Sequence, residues 1–211
     1  MNLNIPYMET DNKLLNDAYR IAAGDIVGNI VYYQNGLLTE EKPCMIAGLD
    51  YNTPWTRDTA INIWNALSIL SPEVSKNTLL AVLEEEEGNI YIGGQYWDSI
   101  IWMIGAREYC RFHKDDNFYR LAFEAGRNSV HRLEEDEFDE EDGLFRGPAV
   151  YGDGIAAYPD KYSKCPNQGS GILEWVDYPG NPVYPKGYGI PMKALSTNCV
   201  YFKVYEILAE M

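Results

Sequence analysis

Residues 96–134 read YWDSIIWMIGAREYCRFHKDDNFYRLAFEAGRNSVHRLE, two apolar-periodic stretches parted only by Lys114-Asp115-Asp116. The periodicity predicts one helix over about 96–113 and another from about Asp116 to Glu134. A connection that short makes the two antiparallel neighbours. Upstream, Ser71-Pro72-Glu73 has the grammar of a helix start: a hydroxyl at the N-cap, proline at the first helical position and an acid in the first turn. That helix carries Val74, Thr78, Leu79 and Leu83 and stops at EEEEG, 84–88. A further helix starts near Asp58 and runs through TAINIWNALSIL. The first, about 11–33, places Leu14, Ala18, Ile21, Ala22 and Ile26 on one stripe, with Asp11 as cap and Gly36 past its end.

Between these helices the spacers differ in kind. Residues 37–56 carry Pro43, Gly48 and Pro54 and read as irregular; GNIYIGGQ at 88–95 has room for a short strand, but its glycines mark a loop. Residues 135–192 are rich in Gly, Pro and Tyr and read as one long irregular stretch before a last helix at about 194–210. The expected fold is therefore all-α, one domain over 1–211, an array of helical hairpins with a long loop-rich insertion. No repeat of fixed length is present. A loop that long inside a compact domain is expected to be functional.

Composition narrows the function classes. Lys and Arg number 17 against 32 Asp and Glu, for a formal net charge of −15. Nucleic acid and anionic membrane both call for a basic surface, so neither is an expected partner. No apolar run reaches the roughly 18 residues of a membrane span, and the N-terminus MNLNIPYMETDNK has neither a basic region nor an apolar one, which points to the cytoplasm or to a mature secreted form. The four cysteines Cys44, Cys110, Cys165 and Cys199 are dispersed and only His113 and His131 are available, so no metal site or cofactor is expected. The 17 Tyr and five Trp, by contrast, suit sugar rings, which present an apolar face and a rim of hydroxyls.

Four segments gather aromatic, Arg and Asp residues: Tyr51 to Asp58 (YNTPWTRD), Gly93 to Asp98 (GGQYWD), Asp142 to Pro159 (DGLFRGPAVYGDGIAAYP) and Glu174 to Tyr178 (EWVDY). The first two sit where a loop enters a helix, so Asp58 also reads as an N-cap and Asp98 as a first-turn acid. Asp153 lies between two glycines that let a ligand approach the backbone. The acidic run 134–142 lacks the spacing of a calcium loop and reads as a solvated turn.

Pro54-Trp55-Thr56-Arg57-Asp58-Thr59-Ala60, followed by a helix and Pro72-Glu73, resembles the Trp-Arg-Asp-Thr entry of the six-hairpin (α/α)6 glycosidases, in particular the amylo-α-1,6-glucosidase and mannosyl-oligosaccharide glucosidase groups. Tyr96-Trp97-Asp98-Ser99 is similar to a motif of the trehalases, which share the toroid. The resemblance spans about 45–205 in short pieces. It implies a partial (α/α)6 toroid and an inverting pair of carboxylates ~6.5–9.5 Å apart, one protonating the leaving oxygen and the other activating water. By resemblance Asp153 is the general acid, with Trp55 and Trp97 as walls, Arg57 and Asp58 on sugar hydroxyls, and Gln95, Tyr96, Asp98 and Trp175 as further contacts.

The chain departs from the family in offering about six helices where the full toroid has twelve. It also has no match to the motif of the catalytic base, which the family carries in its second half. Three readings stay open: the N-terminal half of an oligosaccharide hydrolase, a carbohydrate-binding module without hydrolysis, and a sugar epimerase or lyase on a related toroid. A half toroid should expose an apolar edge, so self-association or a complementary half-barrel chain is expected.

Overall fold

The computed structural model describes residues 5–48, 50–94, 96–147, 149 and 192–211, with Trp97 and Asp98 described by their backbone alone. Helices account for most of it: α1 (Lys13–Gly28), α2 (Thr56–Asn62), α3 (Ser68–Leu70), α4 (Pro72–Ala81), α5 (Trp97–Ile100), α6 (Trp102–Phe112), α7 (Asp116–Glu137) and α8 (Leu195–Glu210). A π-helical turn, Ile63–Leu67, joins α2 to α3 without a break, and a single residue, Ile101, separates α5 from α6. Counted as continuous rods, these are the six helices that the periodicity predicts.

Three antiparallel hairpins decorate them. Strand β1 (Ile30–Tyr33) pairs with β2 (Lys42–Met45), β3 (Leu83–Glu86) with β4 (Asn89–Ile92), and β5 (Phe138–Asp139) with β6 (Leu144–Phe145). Strand β4 falls in 88–95, where a short strand had room; the other strands correct the sequence expectation. The first helix stops at Gly28 rather than near 33, because Ile30 to Tyr33 is a β-branched and aromatic run that finds a partner strand within the segment expected to be irregular. Asn12, not Asp11, caps it, its side chain accepting from Leu14 and Leu15 N–H. Helix α4 stops at Ala81, before the acidic run, and Leu83, expected on the helix, opens β3, which turns into β4 through Glu87-Gly88, both at positive φ.

Helix α6 is the hub. It packs against α2 and its π turn, α4, α7 and α8, and its Trp102, Met103, Gly105, Ala106 and Tyr109 are all buried. The Trp102 indole N–H donates to Leu79 O across 3.2 Å, so the largest core side chain leaves no polar atom unmet. Phe118 of α7, Ile63 and Leu67 of the π turn, and Tyr201, Val204 and Ile207 of α8 complete the same cluster. A Cβ at Gly105 would stand 2.9 Å from Ala60 Cα; glycine there lets α6 and α2 meet backbone to backbone.

The hairpins are fastened to helices by polar clips. Thr78 Oγ1 accepts from Met45 N–H at 2.9 Å, holding β2 on α4, and Ser129 Oγ accepts from Ile92 N–H at 2.8 Å, holding β4 on α7. Arg132 of α7 lies over the Tyr91 ring and forks onto Glu86 through Nη1 and Nη2 at 3.2 and 2.6 Å. Helix α1 has no buried residue: of its expected stripe Leu14, Ala18, Ile21 and Ala22 are exposed, and Ile26 packs against the core. Among the described residues no helix is long and apolar enough to cross a membrane.

Candidate functional site

Helix α2 begins two residues earlier than expected, with Trp55 in the N-cap position and no side-chain capping bond; Asp58 is in the first turn and is not the cap. The Trp55 ring is 48% exposed and meets Tyr51 edge-to-face, centroids 6.4 Å apart and planes at 83°. Arg57 and Asp58 follow, with Arg57 Nε 3.9 Å from Asp58 Oδ2, a loose and partly solvated ion pair. These three residues therefore do stand together at the helix entry.

The second junction lies alongside. Thr56 Oγ1 donates to Gly93 O at 2.8 Å, which ties the start of α2 to the glycine loop leading into α5. Tyr96 follows that loop at φ +49, a left-handed conformation that is unfavourable for a bulky side chain. Its ring is 4% exposed and packs with Ala60 of α2 and Ile101. Trp97 and Asp98 open α5; their side chains, like Gln95, lie outside the described residues.

The third segment reaches the same place. Gly147, at φ +144, is held so close to Tyr96 that a Cβ there would meet the ring at 3.2 Å. Its N–H donates to Met192 O at 2.8 Å, and it bridges in parallel to Lys193. Gly147 and residues 192–193 are thus pinned side by side, next to Tyr96. Asp153, the expected acid, and Trp175 lie outside the described residues.

An ionic clamp joins β5 to Arg146 and Lys193. Asp139 Oδ2 accepts from Lys193 Nζ at 2.7 Å and from Arg146 Nη1 at 3.2 Å, and Lys193 also reaches Asp142 at 2.7 Å. The hydrogen bond from Lys193, with others from Glu141 N–H and Arg146, brings the Asp139 carboxyl down to about 2. The run expected to be a solvated acidic turn is therefore a folded corner: it holds the end of α7 and β5, which pairs with β6 just beyond it, and Phe145 stacks flat on Tyr201 with centroids 3.6 Å apart.

Glu137 was not legible as a site residue. It closes α7 at 7% exposure, and burial pushes its carboxyl up to about 7, against the pull of Arg146 and with some help from Asp136. Glu137 Oε2, Arg146 Nε and Tyr201 Oη are all buried without a hydrogen-bond partner. Perturbed carboxyls of this kind concentrate at functional sites. The only sequence signal was the apolar spacing of α7, which puts Glu137 seven residues beyond buried Val130, on the same face.

Elsewhere the chemistry is quiet. Burial drives the Cys44 thiol up to about 12 and, with the Asp115 charge, Cys110 up to about 11, so neither supplies a thiolate nucleophile near neutral pH. His113 sits at the end of α6 with Nε2 2.7 Å from Ser68 O, and His131 Nδ1 is 2.9 Å from Glu134 on the surface of α7. A cleft lined by Arg107, Cys110, Arg111 and Tyr119 and another lined by His131, Glu134, Phe138 and Tyr205 contain none of the expected site residues. Comparison with models of protein families, with curated proteins and with solved structures finds no match for this chain.

Proposed function

We propose that this chain is half of an (α/α)6-type glycoside hydrolase of the inverting, α-glucosidase kind, acting on an oligosaccharide. Asp153 is the general acid, and the base is supplied from outside this chain. The observation that carries the reading is that α2 and Gly147 both close on Tyr96: Ala60 of α2 and Gly147 pack against its ring, and Thr56, beside Trp55 and Arg57, bonds the glycine loop before α5. Trp55 and Tyr51 offer exposed ring faces for sugar stacking, and Arg57 and Asp58 offer a donor and an acceptor for vicinal hydroxyls. An acid in this role must keep its proton near neutrality, which needs apolar neighbours such as Tyr151 or Tyr158.

Asp153→Asn, assayed in the assembled enzyme, is expected to cost about 10²–10⁴ in rate on substrates with poor leaving groups and far less on activated ones. Small and equal losses on both would reject the acid role. Product anomers followed by NMR from the first turnover test inversion. The exposed Tyr51–Trp55 pair also favours a second reading, a carbohydrate-binding module without hydrolysis. Sugar binding that survives every carboxylate substitution, with no turnover, would select it. The hydrolase reading includes a partner for the exposed helices, either a second copy or a complementary half-barrel chain.

A further inference from the structure

Glu137 and Arg146 face each other across the β5–β6 hairpin. The strands pair Phe138 with Phe145 and Asp139 with Leu144, and the Arg146 N–H, donating to Glu137 O at 2.9 Å, extends that register by one step. Alternate residues of a strand share a face, so Glu137 and Asp139 lie on one side of the hairpin, with Arg146 directly opposite the first and diagonal to the second. The direct pair is the nearer and should close. Instead Arg146 Nη1 donates to the diagonal Asp139 at 3.2 Å, while Nε stops 4.0 Å from Glu137 Oε2, and both of those atoms are buried without a hydrogen-bond partner.

Charge accounts for the choice. An ionised carboxylate so close to a guanidinium in a buried place would draw it into a bond of about 2.7–2.9 Å. A protonated carboxyl exerts no such pull, and the partly exposed Asp139, ionised and bonded to Lys193 at 2.7 Å, takes the arginine. The arrangement is therefore that of a chain whose Glu137 carries its proton, in keeping with the burial that pushes this carboxyl up to about 7.

We propose that Arg146 is a proton-controlled swivel, held by Asp139 while Glu137 is protonated and passing to Glu137 when that proton leaves for solvent. The move is small, since Nε has to cover about 1 Å to reach a charge-assisted bond. Lys193 keeps Asp139 and Asp142 paired once the arginine has gone, and the Arg146 N–H stays on Glu137 O. Asp136, the neighbour of Glu137 on α7, favours the protonated form, as Arg146 opposes it. The Tyr201 phenol of α8, pushed well above its ordinary value first by burial and then by the Glu137 charge, stays neutral. Lys193 and Asp139 hold their charges across the range, each shifted away from neutrality by its bond to the other. Arg146 directly precedes Gly147, where a Cβ would meet the Tyr96 ring at 3.2 Å, so the swivel acts beside the ring on which α2 closes. None of its residues is assigned to the sugar, and it stands or falls separately from the glycoside reading.

The test is a pair of crystal structures of the 211-residue chain, near pH 5 and near pH 9, with an NMR titration of the Glu137 carboxyl carbon and the Arg146 Nε–H between them. The expected result is that the Nε–Oε2 separation falls from 4.0 Å in the acidic form to about 2.8 Å in the basic one, that Nη1 leaves Asp139, and that both NMR signals move with one midpoint near 7. An arginine that stays on Asp139 at both pH values overturns the proposal. So does one that bonds both carboxylates together near pH 9, or an Nε–H signal that does not follow the carboxyl. Glu137→Gln should leave the arginine on Asp139 throughout, and movement that persists in that variant would place the controlling proton elsewhere and overturn the proposal. The wild-type structures and titration decide the matter even if the variant fails to fold.

Discussion

Glu137 shows how much one buried carboxyl can set. Its ordinary value is 4.5, and in the folded chain burial takes it to about 7. Between those values the folded protein holds a proton that the unfolded chain has lost, so stability falls as pH rises through that window and levels off above about 7. At ~1.4 kcal/mol per pH unit the span amounts to something on the order of 3 kcal/mol. The groups facing it are Arg146 after β6, Asp136 on its own helix and Tyr201 on α8; Arg146 opposes the rise and Asp136 adds to it. Glu137→Gln carries no such charge, so its thermal midpoint should match wild type near pH 5 and exceed it at pH 8. Parallel curves across that range would show that Glu137 is ionised in the folded state. Asp139 contributes in the opposite sense, through support lost only as pH falls from its ordinary 3.8 towards about 2.

At the scale of elements, two sites join local geometry to the whole. Glu87 occupies the first central position of the β3–β4 turn at φ +52, a conformation that penalises a side chain. Glu87→Asn places an Asn-Gly turn there and should raise stability by about 0.5–1 kcal/mol, read from the denaturant midpoint at unchanged slope. Gly105→Ala does the reverse. Its methyl would lie 2.9–3.0 Å from the Ala60 backbone, which has no side chain to move aside, so α2 must shift as a body. A loss of about 1–3 kcal/mol is expected. Since α2 carries Trp55, Arg57 and Asp58 at its start, sugar affinity should fall with it; unchanged affinity would detach the site from the α2–α6 packing.

The whole molecule leaves apolar surface uncovered at its two ends. Ile21 on α1 and Phe202 on α8 are 64% and 66% exposed, in company with Leu14, Leu15 and Leu195. Edges of this kind mark interfaces when they exceed a few hundred Å². Sedimentation at tens of micromolar is expected to show species heavier than 24.0 kDa, strengthened by salt because the −15 charge opposes association. Ile21→Glu together with Phe202→Glu should return it to the monomer mass. A monomer at every concentration and salt would remove the half-toroid expectation.

What was legible from residues alone follows periodicity. The 3.6-residue spacing of apolar side chains in α4, α6, α7 and α8 placed all four helices within a few residues, and Pro72 after Ser71 marked a start. Period and proline act over one or two turns, so a linear reading contains them. Strands were missed because a four-residue strand carries too little pattern: β1, β2 and β3 exist only because a partner and a helix face stand opposite. The α1 stripe failed for a related reason, since periodicity names an apolar face but not what covers it.

The site divides along the same line. The Trp55-Arg57-Asp58 entry and the glycine loop before Tyr96 were visible as clusters of residue types, each on its own segment. Their junction depends on a hydrogen bond between residues 56 and 93 and on the packing of Ala60 and Gly147 against Tyr96, contacts that only the packed chain brings within reach. The sequence by itself determined the helical class, the strong negative charge and the aromatic segments, because composition and local spacing suffice for those. Tertiary structure alone decided which carboxyls face water and which are buried: in EEDEFDEED every acid looks alike, and only folding put Glu137 inside and paired Asp139 with Lys193. Burial and pairing depend on what lies nearby in space, and the lysine that pairs Asp139 comes from 54 residues away.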